Sequence, residues 1–312
     1  MTFPKEQNEG PTPTNELCPK WGSDVVALAL VELDIPYFAL TPGASFRGLH
    51  DSLVNFLEDR GPELVLCAHE QNAVAIAHGY AKATDTPMLV GLHANVGLMN
   101  ATMAIYNAFC DRVPMIIVGA TGPGDAPKRR PWIDWIHTSQ DQGGLIRNFI
   151  KWDAQVASPS AAVEALHRAN IIARTPPCGP VYICLDVEMQ EVPINDKPLQ
   201  LDKSLYRPGL PPYPQKQDTE LLVSLFEEAR SPLLLIGRVT RDRKSWDQRI
   251  TLAERTGALV LTDIKQSAAF PTDHPNHTAP PIMHMTSRAG QLVRKKAGLI
   301  LIFPAMRLIR KS

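Results

Sequence analysis

Short apolar segments alternate with longer amphipathic segments over the first two thirds of the chain. The short segments predict strands at Tyr37–Thr41, Leu64–Cys67, Met88–Leu92, Met115–Val118 and Val181–Leu185. The longer segments predict helices at Trp21–Leu33, Phe46–Glu58, Glu70–Thr84, Leu98–Cys110 and Ala161–Arg174. Ser23 is the expected N-cap of the first helix. Short apolar strands alternating with helices indicate an α/β fold, so we predict a doubly wound parallel sheet of about six strands over residues 21–190.

The same alternation resumes after a proline-rich stretch. Residues 191–217 contain six prolines and are predicted to be a linker. The segments beyond it predict helices at Asp218–Glu228 and Ser245–Arg255 and strands at Leu233–Ile236, Leu259–Leu261 and Leu299–Phe303. Residues 218–312 are therefore expected to be a partial second Rossmann-like α/β domain. Residues 1–20 are polar, carry four prolines and are expected to be a disordered arm.

Composition excludes several classes of protein. The chain has 312 residues with 32 Lys+Arg and 32 Asp+Glu, and this zero net charge argues against a nucleic-acid-binding protein. No apolar stretch reaches the 18 or so residues of a membrane span, so a membrane partner is not expected. The five cysteines form no CxxC pair and are interpreted as reduced thiols of a cytoplasmic protein.

The charge is uneven towards the end of the chain. No acidic residue follows Asp273, whereas seven basic residues do: Arg288, Arg294, Lys295, Lys296, Arg307, Arg310 and Lys311. Such asymmetry is one mark of a nucleic-acid arm. Here the basic residues flank the apolar run Ala297–Phe303, which is typical of a buried strand. We therefore favour a domain that is interrupted before the acidic residues that would balance this charge.

The common catalytic and nucleotide-binding motifs are absent. The sequence has no GxGxxG fingerprint and no GxxxxGK[ST] loop. Ser45 follows a predicted strand, but Arg47 stands where a hydrolase nucleophile elbow requires glycine. The loop histidines His274, His277 and His284 have no carboxylate or cysteine among them, so no metal site is predicted.

Glu70 is the most informative candidate. It stands where a predicted strand ends and a helix begins, at the carboxyl edge of the sheet where ligands of open α/β folds bind. An isolated glutamate there most often serves only to complement the helix dipole. The surrounding segment, Cys67-Ala-His-Glu70-Gln-Asn-Ala-Val-Ala-Ile-Ala-His-Gly-Tyr80-Ala-Lys-Ala-Thr84, favours a functional role.

This segment resembles the pyrimidine-binding domain of thiamine-diphosphate enzymes of the acetolactate synthase and benzoylformate decarboxylase group. Thr41-Pro42-Gly43 resembles the turn after the family's first strand, and Leu92-His93-Ala-Asn-Val-Gly97-Leu-Met-Asn100-Ala101 resembles a later loop. Further ordered matches are Asp111-Arg112-Val113-Pro114, the segment Trp152–Pro180, and the opening of the central domain at Asp218–Gly237.

The resemblance implies roles for individual residues. Glu70 would hydrogen-bond N1′ of the aminopyrimidine and favour the tautomer whose nitrogen removes the thiazolium C2 proton, after which the thiazolium acts as an electron sink. His93 matches a histidine that moves protons near the substrate; its alternative role is that of a helix-entry or core histidine. Ser45 could contact a substrate carboxylate or serve as a cap. Pro42, Gly43 and Asn100 are implied as further cofactor contacts.

The resemblance also implies a part that this sequence lacks. The family anchors the diphosphate and Mg²⁺ through a segment that begins Gly-Asp-Gly and ends Asn-Asn, and neither motif occurs here. We therefore expect part of a 2-oxo-acid decarboxylase or carboligase that is truncated and inactive alone. The alternatives are one half of a split enzyme with a diphosphate-domain partner, or a non-catalytic assembly module. A homo-oligomer through the pyrimidine-binding domain is implied, and FAD binding stays open.

Overall fold

A computed structural model of the chain describes residues 17–195, 199, 201–209, 213–240, 242–266, 268–283, 287, 290–291, 295, 297–303 and 307–310. The chain divides into two compact units, Met1–Lys82 with Thr86–Leu210, and Ala83–Asp85 with Pro211–Ser312. Each unit contains its own sheet, and the two are described separately.

The first unit alternates strands with helices. Its strands are β1 (Tyr37–Leu40), β2 (Glu63–Leu66), β3 (Leu89–Leu92), β4 (Met115–Thr121), β5 (Trp152–Val156) and β6 (Pro180–Asp186). Its α-helices are α1 (Gly22–Glu32), α2 (Arg47–Asp51), α3 (Glu70–Thr84), α4 (Ala94–Cys110), α5 (Pro159–Arg174) and α6 (Val187–Glu191). The short 3₁₀ turns of this unit lie in its loops and after β1.

The six strands form one parallel sheet in the order β2-β1-β3-β4-β6-β5. The chain moves from β1 outward to β2 and then returns to the other side of β1 to form β3. The order of the strands therefore reverses between β1 and β3, and the carboxyl ends of these two strands form the crevice in which open α/β sheets bind ligands.

Helices cover both faces of this sheet. One core packs side chains of α1 and α5 on the sheet, with Leu30 and Leu166 fully buried. The other core packs α3 and α4 on the opposite face and is rich in alanine, with Ala77 and Ala101 fully buried. Strands buried on both faces consist almost wholly of apolar residues, which is why β3 and β4 are continuous apolar runs. The predicted fold class is confirmed.

The start of α1 differs from the prediction. The N-cap is Trp21 rather than Ser23, and the Asp24 carboxylate accepts hydrogen bonds from the backbone N–H groups of Trp21 at 3.0 Å and Lys20 at 2.9 Å. The Ser23 hydroxyl is buried inside the domain and is hydrogen-bonded to the Ser52 hydroxyl at 2.8 Å. Asp24 thus bonds the N–H groups just before the helix, and the N–H of Gly22 bonds to the carbonyl of Val192, so Ser23 is not needed as a cap and packs inward.

The predicted helix Phe46–Glu58 is not a single α-helix. It is a 3₁₀ turn at Ala44–Phe46, the helix α2, a π-helical turn at Ser52–Phe56 and a 3₁₀ turn at Glu58–Arg60. The buried Ser52 hydroxyl also donates to Asp24 at 2.7 Å, and the N–H of Leu57 bonds to the carbonyl of Ser52 five positions back. The π-helical turn thus coincides with a buried hydrogen bond from the Ser52 side chain, and the spacing of apolar residues does not predict it.

Two further elements differ from expectation. β5 is an additional strand: it lies at the sheet edge, and its sequence Trp-Asp-Ala-Gln-Val mixes polar with apolar residues. Helix α4 begins at Ala94, four residues before the predicted start at Leu98, directly after His93. Helix α3 begins and ends as predicted, with Glu70 as its first residue.

The second unit contains a smaller sheet. Its elements are α7 (Lys216–Glu228), β7 (Pro232–Ile236), α8 (Arg243–Thr256), β8 (Leu259–Thr262), β9 (Leu299–Phe303) and β10 (Arg307–Arg310). β8, β7 and β9 are parallel, and β10 pairs antiparallel with β9. α8 ends in a left-handed Gly257, at φ 60°, which closes the helix before β8.

The predicted arm and basic tail are only partly described. Residues 1–16, and His284, Arg288, Arg294, Lys296 and Lys311, lie outside the described residues. Leu17 packs against the first core, and the carbonyl of Lys20 accepts a hydrogen bond from the N–H of Ile194 at 2.8 Å. Within the described part of the chain, every helix is too short or too polar to cross a bilayer.

Candidate functional site

The carboxyl edge of the larger sheet gathers most of the candidate residues. Ser45 follows β1, Glu70 follows β2, and His93 directly follows β3. The loop between β4 and β5 adds His137, which is not among the residues predicted from the sequence. Because all strands are parallel, the segments that follow them converge on one edge, around the point where the strand order reverses.

Glu70 opens α3 with its carboxyl group buried; 8% of the residue is exposed. The side-chain amide of Asn100 on α4 donates to Glu70 Oε2 at 3.2 Å. Gly97, one turn earlier on α4, leaves room for the carboxyl: a Cβ there would lie 3.0 Å from Glu70 Oε1 and 3.1 Å from its Cγ. Two positions of α4 therefore hold the Glu70 side chain in place.

His93 is held by Ser45 from across the crevice. The Ser45 hydroxyl accepts a hydrogen bond from the backbone N–H of Ala94 at 3.1 Å and lies 3.0 Å from His93 Nδ1. His93 is the N-cap of α4, but its own side chain makes no capping bond. Ser45 thus accepts a hydrogen bond from the first N–H group of α4, a helix distant in sequence. The hydrogen of its hydroxyl can be donated to Nδ1 of His93 when that nitrogen is unprotonated.

The backbone around His93 is tightly constrained. A Cβ on Gly43 would lie 2.5 Å from the His93 ring, so only glycine fits there beside this histidine. Ala94 adopts a positive φ of 44°, a conformation that costs a non-glycine residue on the order of 1 kcal/mol or more. Pro42 lies exposed beside Gly43 and leads the chain into this contact.

His93 meets a second histidine. The ring centroids of His93 and His137 are 4.6 Å apart, and the rings meet edge to face at 66°. Partial burial lowers the pKa of His93, the neighbouring His137 lowers it further, and the Glu70 carboxylate opposes both effects. His93 is therefore a neutral imidazole at neutral pH, able to accept or relay a proton.

The structure brings the predicted residues into two adjoining groups. Glu70 and Asn100 form one group with Gly97, while His93, Ser45 and Gly43 form the other with His137. The sequence marks Gly97 only as part of a longer motif, with no role of its own. It gives no signal at all for His137, which stands in a long polar stretch and reaches the site only through the topology of the sheet.

The loop histidines His274 and His277 are not part of this site. His274 bonds to Glu254 at 3.3 Å and His277 to Thr262 at 3.0 Å, both within the second unit. Among the described residues, no three histidine, cysteine or acidic side chains lie close enough to hold a metal ion.

Chemically, the edge combines an acid, a neutral base and polar hydroxyls. A buried carboxyl such as that of Glu70 can hydrogen-bond a ring nitrogen, and a neutral imidazole can take up a proton. The hydroxyls of Thr41 and Thr121, each next to or at the end of a strand at this edge, have no hydrogen-bond partner among the described residues. Such a set suits a polar heterocyclic ligand better than an apolar one.

Two domain profiles of known proteins match the chain. Residues 20–142 match the profile of the N-terminal TPP-binding domain of thiamine pyrophosphate enzymes, and residues 219–306 match the profile of their central domain. The first match includes all residues of both groups, and the two matches together span most of the chain.

Curated relatives and solved structures extend the comparison. The acetolactate synthase large subunit of Corynebacterium glutamicum is 29% identical over 280 residues, which are 88% of this chain and 42% of that protein. Acetolactate synthase 2, chloroplastic, of Nicotiana tabacum is 27% identical over 257 residues, 81% of this chain and 37% of its own length. The chain thus spans less than half the length of these relatives.

Two solved structures share the fold. The thiamine diphosphate-dependent 4-hydroxybenzoylformate decarboxylase of Rhodococcus jostii superposes with a TM-score of 0.74 at 21% identity, covering 90% of this chain and 51% of that one. Benzoylformate decarboxylase of Polynucleobacter necessarius gives 0.71 at 22% identity, covering 91% and 51%. The matching domain profiles, the relatives and the shared fold establish that the chain belongs to the thiamine pyrophosphate enzyme family.

Proposed function

We propose that this chain supplies the aminopyrimidine-binding half of a thiamine-diphosphate site that acts on 2-oxo acids, in a decarboxylase or an acetolactate-synthase-like carboligase. The observation that carries the proposal is Glu70, a buried carboxyl at the first turn of α3 beside the crevice of the sheet. The proposed cytoplasmic setting is supported by the five cysteines, none of which forms a disulfide within the described part of the chain.

The residues around Glu70 fit an aminopyrimidine. Gly97 keeps one side of the carboxyl uncrowded, and Asn100 engages Oε2. A planar ring presented to this carboxyl would gain a hydrogen bond to a buried acid, which is stronger than one made in water. When bound, thiamine diphosphate supplies an electron sink for breaking the bond next to the carbonyl of a 2-oxo acid.

His93 and Ser45 are the proposed substrate side of the site. The neutral imidazole of His93 can take a proton from, or return it to, a reacting oxygen, and Ser45 holds Nδ1 in position. Pro42 and Gly43 shape the turn through which the chain reaches His93, and we propose that they line the cofactor.

The diphosphate and Mg²⁺ require residues beyond those described in this fold. The sequence lacks Gly-Asp-Gly and Asn-Asn, and we assign the contacts to the diphosphate and Mg²⁺ to a separate diphosphate-binding domain. We assign no role to FAD. We propose residues 191–217 as the linker between the pyrimidine-binding and central regions, and a homo-oligomer formed through the former.

Complementation tests this function. We expect the chain alone, with thiamine diphosphate and Mg²⁺, to show negligible decarboxylation of benzoylformate or pyruvate. Adding the diphosphate domain of a benzoylformate decarboxylase as a separate polypeptide is expected to restore turnover. Glu70→Gln is expected to reduce the restored rate at least about 100-fold, because the amide cannot exchange the proton that the carboxyl exchanges.

The matched control is Glu164→Gln on α5, an exposed glutamate on the opposite face of the sheet. It is expected to leave the restored rate unchanged. If Glu70→Gln also leaves the rate unchanged, the assignment of Glu70 is wrong. If calorimetry detects no thiamine diphosphate binding even with the added domain, the second candidate is favoured: a non-catalytic assembly module that uses the exposed apolar surface of α3 and α4.

A further inference from the structure

We propose that His137 is a positioning residue of this site, whose ring packs against His93 and keeps that imidazole uncharged and oriented towards Ser45. The role of this contact in proton transfer by His93 rests on the proposed function. The contact itself joins two loops far apart in sequence, one after β3 and one after β4.

The geometry is that of a packed pair. The ring centroids lie 4.6 Å apart at an interplanar angle of 66°. The Ser45 hydroxyl lies 3.0 Å from Nδ1 of His93 and hydrogen-bonds that nitrogen. The ring of His137 packs against the same imidazole. Two imidazolium ions at this separation would repel each other, so the pair favours at most one charge.

The loop that carries His137 is fixed by an ion pair between Arg130 and the buried carboxylate of Asp134. Asp134, 3% exposed, accepts from the backbone N–H of Arg130 at 2.6 Å and from its guanidinium Nη2 at 3.0 Å. The Arg130 guanidinium lowers the pKa of the Asp134 carboxyl although burial alone would raise it. A carboxylate paired in this way stays charged at neutral pH and secures the turn three residues before His137.

Contacts on the other side of His137 complete the anchoring. The Thr138 hydroxyl donates to the carbonyl of Asp134 at 2.6 Å and lies where a Cβ on Gly122 would stand. Further along the loop, the fully buried amide of Gln142 donates to the hydroxyl of Tyr182 at 2.7 Å. Bonds within the loop around His137, and a bond from Gln142 to the sheet beyond it, therefore fix the position of this imidazole beside His93.

The groups facing His93 can be stated element by element. The turn after β1 presents Gly43 and the hydroxyl of Ser45, which carry no charge. α3 presents the carboxylate of Glu70, which favours the protonated imidazole. The loop after β4 presents His137, which disfavours it. His137 thus counters the effect of Glu70 and keeps His93 able to accept a proton.

Histidine titration by NMR tests the pair in the full chain without cofactor. We compare the wild type with His137→Asn, which removes the ring and its charge, and His137→Phe, which keeps an aromatic edge but cannot be protonated. Both substitutions are expected to raise the pKa of His93 by roughly half to one pH unit, because the repulsion between two imidazolium ions can no longer oppose protonation of His93. The ¹⁵N signals should also report Nδ1 of wild-type His93 as unprotonated near pH 7.

His50→Asn on α2 serves as the control and is expected to leave the titration of His93 unchanged. The proposal is overturned if either His137 variant, with its fold intact by circular dichroism, leaves the pKa of His93 where it was, or if wild-type His93 titrates at or above about 6.5, the ordinary value. Failure of thiamine diphosphate binding in calorimetry would refute the proposed function and leave this result standing.

Discussion

The two helical layers of the larger sheet have different outer surfaces. On one face, α5 presents charged side chains to solvent, such as Glu164 and Arg168, the latter stacked on Trp152 at 5.2 Å. On the other face, α3 and α4 leave large apolar side chains exposed: Ile76, Val96, Met99, Met103, Tyr106 and Phe109. Both layers bury an apolar core against the sheet, so it is in their outer surfaces that the two layers differ in polarity.

The charged outer surface of α5 is typical of a helix that faces solvent, whereas the apolar outer surface of α3 and α4 is typical of a protein interface. Scattered apolar residues are ordinary on protein surfaces, but several along one helix mark an interaction site. The exposed residues lie on the two helices that position Glu70, Gly97 and Asn100. We therefore expect the chain to self-associate through α3 and α4, with the proposed cofactor site next to the interface.

Truncation of one buried and one exposed side chain gives the largest contrast in stability. Leu166→Ala, at a fully buried position of α5, is expected to lower the free energy of unfolding by about 2–5 kcal/mol. Met103→Ala, 60% exposed on α4, is expected to change it by less than about 0.5 kcal/mol in dilute, monomeric samples. Urea titrations measure both values, and a large loss for Met103→Ala would mean that this surface is already covered in the monomer.

A charge on the exposed surface tests association directly. Met103→Glu is expected to weaken self-association at least tenfold, since it would bury an unpaired carboxylate against apolar side chains, at a cost well above about 1.4 kcal/mol. The control is Ala161→Glu, exposed in the first turn of α5. Light scattering at micromolar concentration measures the effect; a wild-type chain that is monomeric there would contradict the expected interface.

Sequence patterns predict the layers of this fold better than its irregular parts. β4 and β6 are predictable because strands buried on both faces leave continuous apolar runs. β5 escapes prediction because an edge strand needs fewer apolar residues. The π-helical turn at Ser52–Phe56 escapes it because the turn accompanies hydrogen bonds between Ser52 and α1, a long-range contact that local periodicity does not encode.

The candidate site shows the same division. Glu70 is predictable as the first residue of a helix after a strand, because both elements have strong local signals. The role of Ser45 as acceptor for the N–H of Ala94 is not, because the two residues meet only once β1 and β3 pair. His137 depends on an irregular loop whose course is fixed by buried polar bonds, for which the sequence offers no periodic pattern.

The smallest expected contrast is between two glycines: Gly79 is exposed on α3, whereas Gly97 on α4 lies against the carboxyl of Glu70. A Cβ added to Gly79 on α3 would meet nothing within 4 Å, so Gly79→Ala is expected to raise the free energy of unfolding by about 0.5–1 kcal/mol through helix propensity alone. Gly97→Ala should gain none of this, because its Cβ would press on the carboxyl of Glu70. Urea titration of both variants in monomeric samples measures the difference. Equal gains would show that Glu70 moves freely away from α4, and the close fit between Gly97 and Glu70 would then have no part in holding the carboxyl.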